Sequence, residues 1–178
     1  MFAIRSGGAP LVYTFTKPSC NPFPIDDHIV GPNTSYTAAY PADRTSYLTA
    51  KYRSTPAWEI ELREGASRDE GEVKAVVRIE KGGRFGVSVN GRNYDARIER
   101  GEPFLASTGA SKFCWTRAGP LKQFACWQVV EGKPLFKAAK WKVGYARGKG
   151  VLQINQAFEA ERELLLASAI GAAVSKFY

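Results

Sequence analysis

The sequence predicts a mainly β protein: a closed antiparallel β-barrel, built as a meander, enclosing one hydrophobic C-terminal α-helix. Three observations carry this. Apolar and polar side chains alternate with period two through the middle of the chain, turn dipeptides such as Asn90-Gly91 separate the alternating runs, and an apolar run at 164–174 follows the last of them. With 178 residues and 44% hydrophobic content, the chain can bury the core of one domain spanning 1–178. Its 17 glycines and 10 prolines are too few for a collagen-like or disordered polymer.

The first 33 residues contain Pro10, Pro18, Pro22, Pro24 and Pro32, each lacking a backbone donor. Loops with one short strand, 11–16, are expected there, wrapping the domain. Strands are expected over 34–155. Trp58, Ile60 and Leu62 alternate with Glu59, Glu61 and Arg63, and Val73, Ala75, Val77 and Ile79 share a face opposite Lys74 and Arg78. Phe85, Val87 and Val89 repeat the pattern, Asn90-Gly91 supplies a hairpin turn that tolerates positive φ, and Tyr94, Ala96 and Ile98 lie on the return strand. Further strands are expected at 112–117, 123–130, 135–138 and 140–145, with turns at Gly119-Pro120 and Glu131-Gly132. Trp115, Trp127 and Trp141 recur at even spacings, which within strands returns a side chain to the same face, so all three are expected in a buried ladder. Trp141, Val143 and Tyr145 are then expected to point inward, and Lys140 and Lys142 outward.

A helix is expected over 157–176. Glu159, Glu161 and Glu163 stand at its start and Lys176 near its end, as the helix dipole favours. Its apolar residues cover every face, so it must be buried. Eleven residues rise only about 17 Å, short of the roughly 30 Å of a hydrocarbon layer, which favours a core helix over a membrane span. Small residues from Ala167 to Ala173 keep it slim enough for a sheet to wrap closely.

The net charge of +8 is unevenly spread. Residues 103–149 hold nine basic side chains (Lys112, Arg117, Lys122, Lys133, Lys137, Lys140, Lys142, Arg147, Lys149) against Glu131 alone, while the remainder is nearly neutral. Such asymmetry points to an anionic partner, whereas a solvated face that aids solubility is the plain alternative.

The element order, the Cys114-Trp115 and Cys126-Trp127 strands, Gly132-Lys133-Pro134-Leu135, and the run from Glu163 to Val174 resemble the tubby-like C-terminal domain. That superfamily includes tubby proteins, the plant LURP-one-related proteins, phospholipid scramblases and short fungal relatives. The resemblance covers about residues 11–178 and implies a closed barrel around a hydrophobic C-terminal helix. It also implies basic side chains that bind phosphoinositide headgroups, although no specific headgroup ligand set aligns onto this chain.

Catalytic chemistry is scarce. The single histidine, His28, follows Asp26-Asp27 in the Pro-rich segment, and an adjacent Asp and His seldom orient as a triad. One histidine and unpaired cysteines leave no common zinc site. Gly144 to Gly150 lacks the spacing and the Ser or Thr of a phosphate loop and reads as a basic turn. Cys114 and Cys126 have Lys112 and Arg117 near in sequence, which could activate a thiol, but packing beside tryptophan is the simpler role. No carboxylate pair is arranged for glycoside chemistry.

The expectation is therefore a non-enzymatic module without cofactor or metal, held at anionic phospholipid headgroups through Lys122, Lys133, Lys137, Lys140, Lys142, Arg147 and Lys149. A protein- or glycan-recognition barrel with incidental charge is the alternative, followed by an enzyme with a small-molecule pocket. Nucleic acid is disfavoured, because alternation sets the aromatics opposite the lysines. Without a signal-like N-terminal run or a membrane-spanning segment, and with three cysteines that frame no disulfide set, a cytoplasmic protein attached peripherally to a membrane is expected.

Overall fold

The computed structural model describes residues 10–16, 29–32, 47–54, 57–64, 72–80, 84–99, 102–119, 123–143 and 150–174. The chain is mainly β. Its strands are Leu11–Thr16 (β1), Ile29–Pro32 (β2), Tyr47–Ser54 (β3), Ala57–Glu64 (β4), Val73–Ile79 (β5) and Phe85–Val89 (β6). Arg92–Glu99 (β7), Glu102–Ala106 (β8), Lys112–Gly119 (β9), Gln123–Val130 (β10), Lys133–Val143 (β11) and Gly150–Ile154 (β12) complete the set. A 3₁₀ turn, Gln156–Glu161, leads into the helix Arg162–Val174 (α1).

From β3 to β12 each strand pairs antiparallel with the next, a ten-strand meander. β1 adds to its far side by pairing with β12 from Leu11↔Ile154 to Phe15↔Gly150. β2 pairs with β1 and touches β3 only through Ile29↔Leu48 and Val30↔Tyr47, where β3 and β4 share eight residue pairs. β2 thus links the two ends of the sheet, by four residue pairs with β1 and two with β3. Those links are short because β2 has four residues, and Pro32 among them lacks a ladder donor.

The local chemistry explains the turns. Asn90 and Gly91 take φ of 50° and 71°, and Glu131 and Gly132 take 52° and 76°, the paired positive values of two-residue hairpin turns. β8 falls where Pro103 discourages a strand assignment, yet Pro103 sits in register with Ile98. The expected strands 135–138 and 140–145 are one eleven-residue strand, β11, carrying two irregularities.

α1 packs against β5, β6 and β12, and every residue from Leu164 to Ala172 is buried, so no face of that stretch meets water. Burying a leucine or isoleucine side chain contributes about 1.5–3 kcal/mol, which makes this segment the centre of the core. Gly171 lies against Phe85 of β6: a Cβ there would stand 2.4 Å from Phe85 Cδ2. Ser168, the buried polar residue of this core, accepts from Trp115 Nε1 at 3.0 Å and donates to the Leu165 carbonyl at 3.1 Å. The helix begins later than expected. Asn155 caps the 3₁₀ turn by accepting from the Ala157 amide at 3.1 Å, and Phe158 leaves helical geometry (φ −114°, ψ 23°) with its ring buried against Phe113.

Candidate anion-binding face

β9, β10 and β11 form the part of the sheet where the excess charge lies, and three single-residue irregularities decide what each face displays. Between β9 and β10, Gly119 faces Gln123 but Arg117 faces Phe124, so Ala118 is an extra residue. Because side chains alternate with period two, one added residue changes which partner shares a face. Trp115 consequently faces Cys126, and Trp127 faces Cys114.

Trp115 and Trp141 are buried, with ring centroids 6.4 Å apart at an edge-to-face 71°, and Phe124 lies against Trp141. Trp127 is not part of that ladder, contrary to expectation. It is half-buried on the opposite face, where its Nε1 donates to Thr116 Oγ1 at 3.1 Å and Lys137 Nζ sits 5.2 Å from its ring centroid. A cation in that position is attracted by the ring's quadrupole.

The second irregularity lies in β11. Lys137 faces Trp127 and Ala139 faces Cys126, leaving Ala138 as the extra residue, and both alanines enter the core. Strict alternation would put Lys137 and Lys140 on opposite faces, since they are an odd number of residues apart. The bulge brings Lys137, Lys140 and Lys142 to one face, opposite Trp127, Ala125 and Gln123. All three are exposed, as expected, and Trp141 between them is buried.

The third irregularity shapes the β10–β11 tip. Val129 faces Pro134 while Gln128 faces Phe136, so Leu135 is extra and stands 40% exposed, close in sequence to Val130 at 37% and to exposed Lys133. Two apolar side chains and a lysine thus flank one turn.

Elsewhere several charges are paired. Lys74 holds Glu72 at 2.6 Å and Glu64 at 3.0 Å, and these hydrogen bonds push its pKa up; Arg63 meets Glu61 at 2.7 Å and Arg162 meets Glu163 at 3.1 Å. No ion pair among the described residues involves a lysine of β11. Lys122, Arg147 and Lys149 lie outside the described residues, as do Cys20, His28, Pro120, Tyr145 and the turn from Gly144 to Lys149.

The thiols fit the packing role. Burial pushes the Cys126 pKa well above its ordinary value of 9.0, and Cys114 adds to the rise, so the nucleophilic thiolate is suppressed. Cys114 and Cys126 occupy opposite faces of adjacent strands, since each faces the other's tryptophan neighbour. Among the described residues, no group of three His, Cys, Asp or Glu side chains could hold a metal ion. No described helix is long and apolar enough to cross a membrane.

Sequence reasoning found the three outward lysines but missed Trp127, Thr116 and the apolar tip. The sequence Val129-Val130-Glu131-Gly132-Lys133-Pro134-Leu135, apolar on both sides of a two-residue turn, was the available signal for the tip. Compared with protein-family models, curated proteins and solved structures, the chain matches none.

Proposed function

We propose that this chain is a non-enzymatic binding module that attaches peripherally to anionic, phosphoinositide-like phospholipid headgroups through the outer face of β11. The observation that supports this most is the grouping of Lys137, Lys140 and Lys142 on one face with no acidic partner among the described residues. Each cation close to an anionic membrane contributes about 1 kcal/mol, so three or four acting together give reversible attachment without a lipid anchor. Val130 and Leu135 at the tip, beside Lys133, suit shallow contact with the interfacial region. In this reading Lys122, Arg147 and Lys149 extend the basic surface. The sheet is read as a barrel closed through β2 around α1, as in tubby-like domains; β1, which pairs with both β12 and β2, supports that reading.

Vesicle co-sedimentation tests the function. Neutral, phosphatidylserine and phosphoinositide liposomes are compared at low and physiological salt, with phosphoinositide binding expected to be strongest and to weaken as salt rises. Changing Lys137, Lys140 and Lys142 together to Glu is expected to abolish sedimentation with anionic liposomes while leaving the thermal transition in place. Undiminished binding by that folded variant overturns the proposal, and salt-insensitive binding favours a protein or glycan partner.

A further inference from the structure

A second polar site lies on the outer face of β5, β6 and β7, away from β11. The antiparallel registers set its side chains in rows. Arg78, Gly86 and Asp95 face one another across the three strands, and Ser88 faces Asn93 in the next row. Continuing those registers by two residues sets Glu80, Arg84 and Arg97 in a third row, in keeping with the bond from the Glu80 amide to the Arg84 carbonyl at 2.8 Å. At the centre stands Gly86, which has no side chain, and a cleft of about 830 Å³ opens over it. That volume is in the range of small-molecule sites.

Two features of this array ask for an anion. Like charges directly opposite across strands are destabilising, and the extended registers set Arg84 between Glu80 on one side and Arg97 on the other, two guanidiniums against one carboxylate. Glu80 and Asp95 are close in the array, but no ion pair among the described residues takes up Arg84 or Arg97; Arg78 reaches toward Glu59 at 3.8 Å. Guanidinium groups suit phosphate and carboxylate oxygens because their donors form a planar fork. The rest of the cleft offers groups that match hydroxyls: the Asp95 carboxylate accepts, and Ser88 Oγ donates to Asn93 Oδ1 at 2.5 Å, holding the Asn93 amide in place.

We propose that the cleft over Gly86 binds a small hydroxylated oxyanion, a sugar phosphate in chemical class, with its phosphate between Arg84 and Arg97 and its hydroxyls toward Asp95 and Asn93. Gly86 is the residue that makes the room. Its backbone needs no glycine, since its φ is not positive, and a Cβ would meet the Tyr94 carbonyl oxygen at 3.4 Å and Asp95 Oδ1 at 3.6 Å, ordinary contact distances. A β-branched residue there would favour the strand, so a glycine at this position costs local stability and leaves open space.

Titration calorimetry of the whole chain with glucose 6-phosphate, inorganic phosphate and glucose tests the site. Saturable binding of glucose 6-phosphate is expected, at least tenfold tighter than phosphate alone, and weakened at least tenfold by Arg84→Gln or Arg97→Gln. Gly86→Val is expected to lose the sugar phosphate while raising Tm, a combination that a merely damaged fold does not produce. The Lys137, Lys140 and Lys142 triple Glu variant is expected to bind glucose 6-phosphate as the unaltered chain does, which separates this site from the vesicle-binding face. No saturable binding, equal affinity for phosphate and glucose 6-phosphate, or binding lost in the triple lysine variant but kept in both arginine variants each overturns the proposal.

Discussion

Gly171 has no room for a methyl group, because the added Cβ would sit inside the contact distance of the Phe85 ring. Gly171→Ala is expected to destabilise the protein by about 1–3 kcal/mol, the usual cost of overpacking, read from urea unfolding; a larger Leu should prevent folding. At Ser168, removal of the hydroxyl strands the buried Trp115 indole donor, so Ser168→Ala is expected to cost about 1–3 kcal/mol. Cys126 gives a pH signature. Its folded pKa is raised above 9.0, so at alkaline pH the unfolded chain has released a proton that the folded chain still holds. Stability then falls as pH rises through 9.0, and no such loss arises below it. Unfolding curves at several pH values from 7 upward should show this decline flattened in Cys126→Ala, the difference between the two proteins isolating this thiol from other alkaline groups. These residue environments were partly legible in the sequence: the small residues of the helix announced close packing, but which ring met Gly171 depended on register.

Among the elements, the β10–β11 hairpin offers the sharpest test. Glu131 adopts φ of 52°, a left-handed conformation that costs an ordinary side chain roughly 1–2 kcal/mol, whereas Asn enters it readily. Glu131→Asn is expected to stabilise the protein by about 0.5–1 kcal/mol and, by removing the acidic side chain at the tip, to strengthen sedimentation with anionic vesicles. The periodic elements were readable in advance. Strands β5 and β6 and the Asn90-Gly91 hairpin appear where alternation and turn chemistry put them, and the buried all-apolar helix follows, beginning at Arg162 rather than 157. What could not be read were the single extra residues. Ala118 and Ala138 resemble any strand alanine, yet the first turns Trp127 outward and the second brings Lys137 beside Lys140. β8 was missed because Pro103 masks a short strand, and β2 because Pro32 ends it after four residues.

For the molecule as a whole, the core rests on α1 lying against the apolar face of the sheet. Ala169 is fully buried, so Ala169→Glu puts an unpaired charge there and is expected to prevent cooperative folding, seen as loss of the thermal transition and of near-ultraviolet circular dichroism. A soluble, cooperatively unfolding Ala169→Glu protein would contradict this packing. The order of elements also has a bearing on synthesis. β1 through β12 all leave the ribosome before α1 does, so Val77, Val87, Trp115 and Leu152 wait without the helix that covers them. A nascent chain paused just before Arg162 would present a wet, sticky sheet, and chaperones that bind nascent chains would meet this protein at that moment more than at any other.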